Sequence, residues 1–225
     1  MRISVLGTGV VGRTLAARFA DLGHEVVVGT RDVTATLATG PGAPDGAAFR
    51  GWLEAHPGVG LDGFTGAAAV ADLVVNATNG AGSIAALTLA GAEHLAGKVL
   101  VDVSNPLDFS HGMPPTLLVK DTDSLGEQIQ RAFPRARVVK TLNTLTAALQ
   151  ADPAQLAAGA HSVFVSGNDV DAKATVTRLL ASLGHTDVID LGDITTARGP
   201  EMYLPLWLRL WGSLGTGMLN IKVVR

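Results

Sequence analysis

One stretch constrains this chain more than any other: residues 2–6 (RISVL) read as a buried strand and run without a gap into Gly7-Thr8-Gly9-Val10-Val11-Gly12. An apolar stripe follows at Val11, Leu15, Phe19 and Leu22, which is the spacing of one helix face. Gly23 stops that helix, as a left-handed cap residue does. Residues 25–29 (EVVVG) read as a second strand, with Thr30 and Arg31 at its end. Strand, G-x-G-x-x-G, helix, strand is the context a dinucleotide-binding turn requires.

Each glycine has its own physical reason. Gly7 permits the tight turn out of the strand, Gly9 lets the backbone approach a pyrophosphate, and Gly12 allows close helix–strand packing. Free N–H groups at the helix start, with the helix dipole, then hold the phosphate charge. The residues that end the second strand bear on which nucleotide binds. An NAD site carries Asp or Glu there for the ribose hydroxyls, whereas this chain has Thr30 and Arg31. A guanidinium and a hydroxyl suit a 2′-phosphate, so NADP is expected. Asp32 is the one group that could turn inward as an NAD-type carboxylate.

The rest of the chain continues the alternation. Thr39-Gly40-Pro41-Gly42-Ala43-Pro44-Asp45-Gly46 reads as loop, and the insertion over residues 40–66 either covers a ligand or is simply solvated. Within it, residues 49–55 form a short helix with Trp52 and Leu53 facing in, and residues 59–62 a short strand. Buried strands are expected over residues 72–76, 98–103, 137–140, 162–165 and 186–190. Helices are expected over residues 84–95, behind a capping box at Ser124 to Glu127, from Asp152-Pro153 to near Gly159, and over residues 168–183 up to Gly184. His24 and His185 directly follow helix-ending glycines and read as polar turn residues. The fold class is therefore α/β: a doubly wound, mostly parallel sheet of the Rossmann kind, with a small helical C-terminal extension. The division expected is residues 1–190 for the nucleotide-binding domain and residues 191–225 for the extension.

Ligands bind such sheets outside the carboxyl ends of the strands. The strand-end loops there are small and polar: Asn76, Thr78 and Asn79 after one strand, Ser104, Asn105 and Pro106 after the next, and Asn143 after a third. All are cofactor-binding candidates. In the tail, Tyr203, Trp207, Trp211, Leu214 and Met218 follow helical spacing, with Leu204, Leu208 and Leu210 on other faces. A helix apolar nearly all round is expected in the core; a crevice wall or a subunit contact are the alternatives.

Composition removes whole classes of function. The hydrophobic share of 47% and net charge of -3, with scattered Lys and Arg, give no basic face for nucleic acid or anionic lipid. No window supplies a membrane span, and the first residues have strand rather than signal-peptide character. The absence of cysteine excludes thiolate metal sites and cysteine nucleophiles and fits a cytoplasmic protein. The His residues show no metal-ligand spacing, so no metal is expected.

These motifs together resemble the NADPH:coenzyme F420 oxidoreductase family, whose domain also occurs as the cytosolic part of six-transmembrane metalloreductases. The resemblance rests on residues 2–12, Gly29-Thr30-Arg31, residues 102–107 (DVSNPL), 137–143 (RVVKTLN), 165–169 (VSGND) and 197–201 (ARGPE), and covers nearly the whole chain. It implies that Thr8, Val10, Val11, Thr30 and Arg31 hold NADP. It also implies that Asn79 and the loop from Ser104 to Pro106 lie near the nicotinamide, and that a deazaflavin stacks there.

The leading expectation is an oxidoreductase that passes a hydride between NADPH and a deazaflavin, coenzyme F420, or a flavin. Such chemistry asks little of side chains, because the cofactors carry the reactivity. His111, near Asn105 in sequence, is the candidate general acid, although a surface-loop His is the plainer reading. The alternatives are a binding module that senses NADPH without turnover, or a reductase of another small acceptor. Small-molecule cofactors are the expected partners, with no nucleic acid or membrane, and a homodimer the expected assembly.

Overall fold

The computed structural model describes residues 1–38 and 49–225. In chain order the elements are β1 (Arg2–Leu6), α1 (Val10–Asp21), β2 (Glu25–Thr30), α2 (Val33–Ala38), α3 (Phe49–Ala55), β3 (Val59–Gly63), α4 (Phe64–Val70) and β4 (Leu73–Asn76). There follow α5 (Ser83–Ala90), α6 (Ala92–Leu95), β5 (Val99–Asp102), the small hairpin β6 (Leu107–Asp108) and β7 (Thr116–Leu117), α7 (Leu125–Ala132) and β8 (Arg137–Thr141). The chain closes with α8 (Ala147–Ala151), β9 (Ser162–Ser166), α9 (Val170–Leu183), β10 (Asp187–Gly192), α10 (Arg198–Met202) and α11 (Leu204–Leu214).

Adjacent strand residues point to opposite faces, and the core divides accordingly. Val5, Val75, Val101 and Val139 pack with Leu15 and Phe19 of α1, Leu149 of α8, and Val176 and Leu180 of α9. Their chain neighbours Leu6, Val74, Leu100 and Val138 pack on the other face with Ala67 of α4, Leu87 of α5 and Ile129 of α7. Burial on both faces explains why these strands read as nearly continuous apolar runs.

The sheet order is β10-β9-β8-β5-β4-β1-β2-β3. Every pairing is parallel except that of β8 with β9. From β1 the chain winds one way to β2 and β3, then crosses to β4, β5 and β8 on the other side. The switch point lies between β1 and β4, and a doubly wound sheet opens a crevice there.

Several elements depart from the sequence reading. Helix α2 begins at Val33, where the sequence reading placed no helix. The helix expected over residues 84–95 breaks at Gly91, whose φ of 93° only glycine adopts readily. The helix expected after Asp152 is two separate 3-10 turns, Pro153–Gln155 and Ala157–Gly159. The loop expected over residues 39–46 lies outside the described residues. His185 lies in the turn after Gly184, as expected, and is buried there with its Nε2 on Gln150 O at 3.1 Å.

The largest correction concerns the tail. Only Leu204 and Leu208 of α11 are buried, while Leu206, Trp211 and Leu214 are 56%, 42% and 60% exposed. The sheet faces are already covered by α1, α8 and α9 on one side and α4, α5 and α7 on the other, so α11 packs through a single stripe. Beyond it the chain returns to the sheet, where Ile221 O accepts the Ser162 N–H at 3.0 Å and Lys222 and Arg225 pair with Asp187. Strand β10 runs to Gly192, two residues past the expected domain boundary.

Candidate nucleotide-binding site

The glycine turn shapes one wall. At Gly7, φ is +123° and a Cβ would lie 2.5 Å from Ala77 O; at Gly12 a Cβ would lie 2.1 Å from Gly7 O. Both glycines are required by protein atoms. Gly9 differs: among the described residues, a Cβ there would meet nothing within 4 Å. The space it leaves faces the crevice, and no side chain caps the N-terminus of α1. That is the cradle a pyrophosphate needs, with open N–H groups and no intervening side chain.

Above the switch point lies a cavity of about 290 Å³. Gly9, Val10, Val11, Thr78, Asn79, Ser104 and Asn105, all expected at the site, line it. Ala77, Gly80 and Leu107, from the same strand-end loops, line it too, and Val103 and Phe109 complete the wall. Gly80 is fixed by contact, since a Cβ would lie 1.9 Å from Asn105 O. Asn105 donates from Nδ2 to Asn143 O at 3.0 Å, while its buried Oδ1 has no partner among the described residues. Asn105 is thus a residue of the cavity wall whose amide oxygen is left without a donor among the described residues. A larger open depression, of about 810 Å³, lies at the opposite end of the sheet against Arg131, Arg135 and Arg137. It is remote from the glycine turn and from the switch point.

The remaining candidates are not brought into the cavity. Asn76 is fully buried, donating to Asp102 Oδ1 at 2.9 Å and accepting from Thr78 Oγ1 at 2.7 Å. Asn143 is buried with its amide on Pro200 O at 3.1 Å, and Pro106 is buried with its carbonyl held by the Leu118 N–H. Thr8 is half-buried beside the turn. Thr30 is buried and its hydroxyl meets Thr36 Oγ1 at 2.7 Å, which leaves Arg31 as the exposed group at the end of β2. Asp32 Oδ1 accepts the Ala35 N–H at 2.9 Å at the start of α2, where it caps that helix. His111 is exposed, between β6 and β7, and does not line the cavity.

Behind Ser104 lies a cluster that the sequence reading passed over. Asp102 and Lys140 sit opposite one another in the β5–β8 register. Lys140 Nζ lies 2.8 Å from Asp102 Oδ2, 2.9 Å from Glu201 Oε1 and 2.6 Å from Ser104 O, with its side chain fully buried. Burial alone lowers a lysine pKa, yet Asp102 and Glu201 together raise that of Lys140 above its ordinary value. Glu201 also accepts the Leu125 and Gly126 N–H groups at 2.7 and 3.0 Å, capping α7 from another part of the chain. The available signal was a charged residue after an apolar pair in each of two strands, Asp102 at the end of β5 and Lys140 near the end of β8.

Comparison with known proteins gives a consistent picture. The family described as coenzyme F420-dependent NADP oxidoreductases matches residues 2–106. An F420-dependent NADP reductase of Methanocaldococcus jannaschii is 28% identical over 97% of each chain. The metalloreductase STEAP3 of Rattus norvegicus is 30% identical over 92% of this chain, which spans only 38% of that protein's length. The crystal structure of an Arthrobacter sp. FB24 protein, named provisionally as an F420-dependent NADP-reductase, is 67% identical over all of both chains with a TM-score of 0.96. A reductive aminase from Aspergillus terreus in complex with NADPH, at 20% identity and a TM-score of 0.64, shares the fold over 95% of this chain and 62% of its own. Among the described residues no helix is long and apolar enough to cross a membrane.

Proposed function

Since the chain belongs to the coenzyme F420-dependent NADP oxidoreductases, we propose that it passes a hydride between NADPH and a deazaflavin such as coenzyme F420, or a flavin, stacked on the nicotinamide. The dinucleotide supplies the reducing equivalent, a hydride that leaves the nicotinamide ring with both electrons of its bond. The protein's part is to hold two flat rings face to face and exclude water.

The observation that carries this reading is the lining of the cavity: two glycines, Ala77, Thr78, Ser104 and two asparagines beside the apolar Val10, Val11, Val103, Leu107 and Phe109, with no acid–base pair among them. A small keto acid would call for an arginine clamp and a proton donor. Flat rings call for small side chains and a few amide or hydroxyl groups. In this reading the N–H groups after Gly9 bind the pyrophosphate, Arg31 binds the 2′-phosphate, and Asn105 Oδ1 accepts from the nicotinamide amide. Thr78 and Asn79 border the ring, and Thr30 and Asn143 act through Thr36 and Asn105.

Purified protein would be mixed with NADPH and, separately, oxidised coenzyme F420, FAD and FMN, following nicotinamide and acceptor absorbance together. The expected result is bleaching of a tricyclic acceptor, with Asn105→Ala slowing it more than it weakens NADPH binding. Reduction of a carbonyl or imine but of no tricyclic acceptor would overturn the proposal and return attention to His111. Tight NADPH binding without turnover would make the chain a sensor. A homodimer is also proposed, supported by the exposed apolar residues of α11; light scattering giving the monomer mass would remove it.

A further inference from the structure

We infer that Asp102, held with Lys140 and Glu201 in one closed buried network, sets an unbalanced negative charge behind the crevice and makes the site favour oxidised NADP over NADPH. The inference rests on the crevice being the NADP site, as proposed above.

The charge follows from the directions of the hydrogen bonds. Lys140 Nζ has three protons and meets three acceptors, Asp102 Oδ2, Glu201 Oε1 and Ser104 O. Asp102 Oδ1 receives the Asn76 amide at 2.9 Å, the Ser104 N–H at 3.2 Å and the Ser104 hydroxyl at 2.6 Å. Glu201 receives two backbone N–H groups besides the ammonium. The Ser104 hydroxyl donates to Asp102 Oδ1, with the Asn76 amide on its other side at 3.4 Å. Every group facing the two carboxylates donates, so neither can place a proton of its own. Two carboxylates and one ammonium leave one negative charge in excess.

That excess sits at Asp102. Glu201 faces the N-terminal N–H groups of α7, whose dipole offsets its charge. Apart from Lys140, Asp102 has only neutral partners. Two of those partners lead to the cavity surface. Ser104 lines the cavity itself, and Asn76 binds Thr78, which also lines it. A charge shut away from water acts across such distances more strongly than an exposed one. The two forms of the nucleotide share the 2′-phosphate and pyrophosphate and differ at the ring, which is cationic when oxidised and neutral when reduced. A buried anion near the ring therefore separates the two forms. Tighter binding of the oxidised form lowers the potential of the bound couple, so bound NADPH becomes the stronger hydride donor.

Dissociation constants for NADP⁺ and NADPH would be measured by calorimetry on the wild-type chain, Asp102→Asn and Glu201→Gln, with circular dichroism to establish folding. The wild-type ratio Kd(NADP⁺)/Kd(NADPH) should lie below one. Asp102→Asn should raise it about tenfold, the order expected of one buried charge at an effective dielectric of roughly 20. Glu201→Gln should raise it less, because the α7 dipole already offsets that carboxylate. Equal weakening of both nucleotides would make Asp102 a purely structural residue and overturn the inference. If Asp102→Asn does not fold, an unchanged ratio in Glu201→Gln overturns it instead. Failure of the crevice reading has a different signature: Gly9→Val would leave both affinities intact.

Discussion

The two walls of the crevice are built on opposite principles. The wall at β1 and α1 is made by leaving side chains out. Gly7 and Gly12 let backbone touch backbone, and Gly9 leaves room for a ligand. The wall at β5 and β8 is made by placing charges where charges are costly, with Asp102, Lys140 and Glu201 all buried. The first wall is contiguous and steric; all its determinants fall within residues 7–12. The second is dispersed and electrostatic, and its members, at 102, 140 and 201, meet only in the folded chain. A steric wall fails through added atoms and an electrostatic wall through missing partners, so different substitutions should break each.

The largest effect is expected at Lys140. Lys140→Met keeps much of the volume but leaves two carboxylates buried without their cation. Breaking a buried pair from one side costs about 3–5 kcal/mol, read as loss of unfolding free energy in urea. Lys140→Arg should not restore it, because a planar fork cannot reproduce three donors diverging from one nitrogen. A loss under about 1 kcal/mol would mean that the charges of this wall are incidental to its stability.

The steric wall offers an internal control. Gly12→Ala forces a methyl group to within 2.1 Å of the Gly7 carbonyl, so backbone must shift. Overpacking of this kind costs about 1–3 kcal/mol, and nucleotide affinity should fall with stability. Gly9→Val places its Cβ where no atom of the described residues lies within 4 Å, so thermal stability should hold while NADPH binding is lost. If Gly9→Val destabilises the fold as much as Gly12→Ala does, the distinction between a structural and a ligand-facing glycine is wrong.

The same contrast explains what the sequence disclosed. The β1–α1–β2 unit was legible because period, glycine spacing and cap all lie within thirty residues and agree. Thr78, Asn79, Ser104 and Asn105 were legible as small polar residues ending apolar strands. The network was not, because Asp102 and Lys140 each look like an ordinary strand-end polar residue until the register sets them opposite one another. Glu201 caps a helix 75 residues earlier in the chain, a pairing that no local pattern carries. Asn76 and Asn143 follow strands as Asn105 does, but their side-chain amides are held by buried protein partners while Asn105 lines the cavity, a difference no local pattern carries. Helix α11 was misread because spacing shows that a helix has apolar faces, not whether anything covers them.

The nucleotide's far end gives a smaller and more selective effect. Arg31 is exposed at the end of β2 and Asp32 caps α2, so the guanidinium is the group available to a 2′-phosphate. Arg31→Ala should weaken NADPH binding by about 2 kcal/mol and leave NADH binding nearly unchanged, since only NADPH carries the phosphate. Equal losses would place the 2′-phosphate elsewhere.

The smallest effect should come from the Arg2–Asp72 pair, which tests burial as the source of the second wall's strength. Arg2 Nη2 lies 2.6 Å from Asp72 Oδ1, a distance comparable to those around Lys140, but both side chains are about half exposed. The Arg2 hydrogen bond holds the Asp72 carboxyl down at about 2. A lowered carboxylate pKa contributes stability that is fully present above its unfolded value of about 4 and is lost as pH falls through the folded value. Water and salt screen an exposed pair, and its net contribution is small. Arg2→Ala should therefore lower the melting temperature slightly at neutral pH in dilute buffer. The loss should vanish in 1 M salt, where the screening length is about 3 Å, and again as pH approaches 2. The effect of Lys140→Met should survive that salt, because no ion reaches a fully buried ammonium. A salt-insensitive Arg2→Ala as costly as Lys140→Met would show that geometry, not burial, sets the strength of these charge pairs.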